Sequence, residues 1–177
     1  MRTAARLSFL VLVLVAGLWL WSVLFPGPEK AIRQHLARTA QAASFKANEG
    51  PMDQLSNIGA FSKCFSPDAE VKFESPGGGS QSLSGRSDLM RAAGVARTMT
   101  AALKVDFLDA NLTVAPDRQT ATVELTVRAT IPGDRDFFVQ AMKLQLKKSG
   151  RSWLIIRAET VKTFSDVRQL AHPVQSS

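Results

Sequence analysis

Residues 103 to 164 read LKVDFLDANLTVAPDRQTATVELTVRATIPGDRDFFVQAMKLQLKKSGRSWLIIRAETVKTF. Apolar and polar side chains alternate through this stretch, and a period of two is the signature of strands with one buried face. Three breaks interrupt it, at Ala115-Pro116-Asp117, Pro132-Gly133-Asp134 and Ser149-Gly150. The alternation predicts four long antiparallel strands over Leu103–Val114, Thr120–Ile131, Asp136–Lys148 and Ser152–Phe164, joined as a meander. Val123, Leu125, Val127 and Ala129 make an apolar face on the second strand. In the first strand the phase slips by one, because Val105 and Phe107 are followed by Leu108, Ala110 and Leu112. Such a slip predicts a β-bulge, which curves a sheet.

Upstream the period changes. Ile32, Leu36, Ala40 and Ala43 recur at three and four, predicting a helix from Glu29 to about Ala47. Gly50-Pro51 then starts a second helix with Met52, Leu55, Ile58, Phe61 and Phe65 on its apolar face, ended by Ser66-Pro67-Asp68. Ala69 to Glu74 alternates as a short strand. Ser75 to Ser80 is a Gly-rich hairpin connection; no Lys-Ser or Lys-Thr follows it, so it does not read as a phosphate loop. Gly85 to about Ala101 is a third helix, with Ser87 as its expected cap.

At the other end of the chain, Leu7 to Phe25 (LSFLVLVLVAGLWLWSVLF) carries no charge. A helix of that length matches the roughly 30 Å hydrocarbon layer of a bilayer. Trp19 and Trp21 suit the headgroup interface, and Pro26-Gly27-Pro28 stops the helix. A cleaved signal peptide would want a small residue at its cut site, where Phe25 stands between the apolar run and two prolines. The expected domains are therefore a tail and signal anchor over residues 1–28, a folded domain over 29–164 and a C-terminal tail over 165–177. Basic residues flank the apolar run on both sides in nearly equal number. A short N-terminal tail before a long domain favours a cytoplasmic N-terminus with the domain exported. Abundant Ala and Arg without any Tyr suggest a bacterial source. The expected location is the inner membrane, single-pass, with a periplasmic domain.

The net charge is +7. The basic residues are scattered and not interleaved with aromatics, so nucleic acid is not an expected partner. The densest group, Lys147-Lys148-x-x-Arg151, reads as a hairpin tip. Cys64 is the single cysteine, which excludes an intramolecular disulfide and a Cys-rich metal site, and its apolar setting reads as a small buried hydrophobe. No cofactor or metal is expected.

The order of elements, carried by PMDQLSNIGAFSKCFSPDAEVKFE (51–74), LSGRSDLMRAAG (83–94) and WLIIRAETV (153–161), resembles the nuclear transport factor 2-like superfamily, with its ketosteroid isomerase-like and SnoaL-like members. The resemblance implies an α+β, cystatin-like cone, in which a curved antiparallel sheet packs on three helices and a pocket opens at one end. It also resembles the layout of membrane-anchored relatives among secretion-system assembly components. Ketosteroid isomerase-like sites use a Tyr donor, which this chain lacks. Catalytic candidates are Asp106 and Asp109 near the bulge and His35 on the first helix, each with solvated or structural placement as the plainer reading. Gln140, with Phe138 and Met142, is the candidate for orienting a small apolar ligand. Glu124, Arg128, Arg157 and Glu159 are expected to form an ion-pair ladder on the outer sheet face, a surface for a homodimer or an envelope partner. The preferred reading is a membrane-anchored, non-catalytic binding or assembly module. The alternative is an isomerase, cyclase or hydrolase-like enzyme using the cone pocket.

Overall fold

The computed structural model describes residues 27–74, 79–133 and 137–161. Among these the order is α1 (Pro28–Ala43), α2 (Pro51–Lys63), β1 (Phe65–Glu74), β2 (Ser80–Ser84), α3 (Gly85–Met99), β3 (Lys104–Val114), β4 (Thr120–Thr130), β5 (Phe137–Ser149) and β6 (Ser152–Thr160). The strands form one sheet in the order β2-β1-β6-β5-β4-β3. The meander β3 to β6 is antiparallel throughout, as the alternation predicts. β1 pairs antiparallel with β2 and parallel with β6, so the first and last strands of the domain are neighbours.

The inner face of the sheet and the helices share one core. Ile32, Val123, Leu146 and Ile155 are essentially without exposure, and Leu36, Leu89, Leu125, Leu144 and Trp153 join them. α1 lies against β3 and β6, and α3 against β1 and β2. The predicted bulge is present: the β3–β4 register shifts between Leu108 and Asn111, and Asp109 takes a φ of 51°. This left-handed residue lets the strand bend, and Asp tolerates that conformation better than bulkier residues.

Several boundaries differ from expectation. α1 ends at Ala43 rather than Ala47 because Ser44 turns extended. The Ser44 hydroxyl donates to Ala40 O (2.8 Å) and accepts from Val105 N–H (2.9 Å), and Phe45 and Leu103 exchange backbone bonds. These bonds offer the chain an alternative to another helical turn. Thr39 rather than Ala40 completes the buried stripe of α1. α2 does not bury the face assigned to it: Met52 and Leu55 are 78% and 66% exposed, because only its C-terminal turns meet the core. Phe65 opens β1 and does not close α2, so Ser66-Pro67-Asp68 lies within a strand longer than predicted. Ser87 does not cap α3; the cap position is Ser84, whose backbone N–H donates to Asp88 Oδ2 at 3.2 Å. β6 ends at Thr160 among the described residues.

Among the described residues no helix is long and apolar enough to cross a membrane. Residues 7–25, on which the anchor expectation rests, lie outside the described residues, as do the C-terminal tail and the centre of the Gly-rich connection.

Candidate functional site

Between the sheet and the helices lies a cavity of about 310 Å³. One wall is the inner sheet face, including Phe107, Val127, Met142, Leu144 and Ile155. The facing wall is the C-terminal end of α1 and the small-residue side of α3, where Ala92, Ala93 and Ala96 leave room that larger side chains would fill. Phe45, Phe61, Phe65 and Phe73 close much of the remainder. The lining holds two polar side chains, Thr39 and Arg97. The Thr39 hydroxyl donates within its own helix to His35 O at 2.9 Å. Arg97 alone brings charge to the wall.

Arg97 stands on the last turn of α3. Its guanidinium carbon lies 4.5 Å from the centroid of the Phe45 ring, a cation–π arrangement. Nη1 makes a long bond to Ala93 O at 3.4 Å. Nε and Nη2 are buried without a hydrogen-bond partner. In the sequence Arg97 is one of many scattered basic residues. The one local signal was its place four residues after Ala93, on the same side of the helix.

Met142 is the member of the predicted ligand trio that lines the cavity. Gln140 and Phe138 stand further along the same face of β5, opposite Val127 and Ala129, outside the lining. Phe138 is 41% exposed there.

Asp106, Asp109 and His35 do not line the cavity and are not brought together. Asp106 is on the outer face, since Val105 and Phe107 on either side of it point inward. Its carboxylate meets Lys104 Nζ at 3.1 Å and Arg128 Nη2 at 3.4 Å. The hydrogen bond from Lys104, then its charge and that of Arg128, hold the Asp106 carboxyl below its ordinary range. Asp109 is exposed at the bulge. His35 Nε2 donates to Cys64 O at 3.1 Å, a carbonyl that also accepts from Ile155 N–H. Burial lowers the His35 pKa, opposed by that hydrogen bond and aided by the nearby charge of Arg38. It therefore ties α1 to the α2–β1 junction as a neutral ring.

The ladder expected among Glu124, Arg128, Arg157 and Glu159 does not form, because β5 separates β4 from β6. Each residue keeps its outward direction but meets another neighbour. Glu124 pairs with Lys143 (3.7 Å), Arg128 with Asp106, and Arg157 with Glu70 (2.7 Å). Glu159 stands in register between Lys72 and Lys143. The outer face is thus a patchwork of opposite charges, and such exposed pairs contribute only about 0–1 kcal/mol each.

No family model matches this chain, and no curated protein matches its sequence. Solved structures do share its shape. An NTF2-like protein with a cystatin-like fold from Novosphingobium aromaticivorans superposes with a TM-score of 0.58 at 18% identity, over 90% of this chain and 96% of that one. An NTF2-like protein of unknown function from Pseudomonas putida gives 0.59 at 16% identity, covering 84% and 96%. A candidate scytalone dehydratase from Novosphingobium aromaticivorans gives 0.57 at 14%, covering 76% and 83%. The chain has the NTF2-like, cystatin-like α+β cone fold, with its curved sheet packed on helices. At these identities the likeness is one of fold, and folds of this kind host unrelated functions.

Proposed function

We propose that this chain is a membrane-tethered module that holds a small apolar molecule in its cone and does no chemistry on it. The observation that carries the reading is the cavity, whose volume lies at the lower end of small-molecule sites and whose wall is apolar but for Thr39 and Arg97. Support for a non-catalytic role comes from the same wall. A hydroxyl bonded within its own helix and a guanidinium, which does not deprotonate in proteins, are poor general bases. Support for the tether comes from the uncharged run Leu7–Phe25 and the prolines after it. On this reading residues 29–164 sit on the periplasmic side of a bacterial inner membrane. The charged outer sheet face is then left for a second copy or an envelope protein.

The test is binding of a neutral fluorescent probe, N-phenyl-1-naphthylamine, to the full-length chain in lipid nanodiscs, with empty nanodiscs subtracted. Saturable binding is expected, and Ala93→Phe, which fills the cavity from α3, should remove it. Binding that Ala93→Phe leaves untouched would place the probe elsewhere and refute the reading. The enzyme alternative rests on Asp106, Asp109 and His35. It predicts that alanine at each abolishes the chain's biological activity while the domain stays folded.

A further inference from the structure

We infer that the occupant of the cavity is an amphipathic monocarboxylate, an apolar body with one acid group, whose carboxylate is held by Arg97. The inference rests on the ligand-binding reading above and adds the chemistry of the head group.

A guanidinium removed from water requires anionic or carbonyl partners for its N–H groups, because its charge and donors are otherwise left unsatisfied. Arg97 has one long bond to its own helix and the face of Phe45, while Nε and Nη2 remain unpartnered. Those two nitrogens form one edge of the guanidinium, and their parallel N–H groups match the two oxygens of a carboxylate. Arg97 takes part in none of the ion pairs among the described residues. Apart from Thr39, whose hydroxyl donates within its own helix, the remainder of the cavity offers Phe, Val, Leu, Ile, Ala and Met surface, which suits an alkyl or aryl body. Protein covers both Nε and Nη2, so binding requires the arginine stem to turn this edge toward a ligand lying against Phe45.

One other buried group bears on the assignment. Glu49, in the connection between α1 and α2, also has a buried and unpartnered oxygen, Oε2, while Oε1 accepts from Lys46 N–H at 3.2 Å. If Glu49 swung onto Arg97, the guanidinium would be neutralised from within and the cavity would take a neutral molecule.

The experiment compares decanoate with decanol, titrated calorimetrically into the full-length chain in lipid nanodiscs at neutral pH, with empty nanodiscs subtracted. The wild-type chain should bind decanoate at least tenfold more tightly than decanol. Arg97→Gln should remove that preference while decanol binding persists, and Arg97→Lys should restore part of it. Equal affinities in the wild type would overturn the assignment while leaving the cavity as a binding site, and the wild-type ratio decides this even if a variant fails to fold. A preference that survives in folded Arg97→Gln would overturn it as well, as would one that appears only in Glu49→Gln. Absence of saturable binding by either probe would overturn both this inference and the ligand-binding reading.

Discussion

His35 shows how a residue's chemistry depends on what the chain brings to it. Seen alone, a histidine beside Leu36 is a candidate acid or base. Folded, it is a neutral tie to the Cys64 carbonyl, which lies far along the sequence and could not be paired with it by periodicity. Burial sets its pKa below the ordinary 6.5. As pH falls through 6.5 the unfolded chain takes up a proton that the folded ring still refuses, so stability drops with falling pH. The decline levels off once the folded ring is itself protonated. Urea denaturation across this range should show the slope in the wild type and its loss in His35→Gln. Gly85 is a second such residue. Its φ of +75° and the Pro67 carbonyl, 3.1 Å from where a Cβ would stand, disfavour a side chain. Gly85→Ala should destabilise the domain by about 1–2 kcal/mol in the same measurement. Arg97 was hard to read for the same reason as His35, its spacing from Ala93 being the only local sign. A charge on a helix looks solvated until Phe45 and the alanines of its own helix are seen around it.

At the level of elements, the long strands were legible because their alternation persists over many residues and each break contains Pro, Gly or Asp. The bulge was legible too, since a one-residue phase slip has few other causes. Asp109 tests it: Asp109→Val places a β-branched residue at a φ of 51° and should cost about 1–2 kcal/mol, whereas Asp109→Gly should be nearly neutral in thermal unfolding. The helices were legible in position but not in extent. Ser44 ends α1 through bonds to both its own helix and β3, a contact no local pattern announces. α2 carries an amphipathic pattern that the fold uses only at one end, so Met52 and Leu55 promised burial that its distance from the sheet denies. The ladder expected on the outer face failed at this scale as well. The facing directions were right, but strand order, which alternation does not encode, put β5 between the partners.

For the whole molecule, the cone could be expected from element order, whereas the cavity depends on small and large residues meeting across layers. If it holds a carboxylate, ligand at a hundredfold excess over Kd should stabilise the folded state by about 2.7 kcal/mol. For a domain of this size that is a rise in Tm of roughly 5–10 °C. Differential scanning calorimetry of the full-length chain with and without decanoate reads it, and Arg97→Gln should blunt it. The parallel pairing of β1 with β6 carries a consequence for biogenesis. β1 emerges from the ribosome early, yet its partner on that side is the last strand among the described residues, and Glu70 waits for Arg157. Until then one edge of β1 is a bare row of amide and carbonyl groups, open to pairing with other chains. A chain truncated before Ile155 therefore keeps an adhesive edge, and nascent domains of this kind would depend on holding factors until β6 is made.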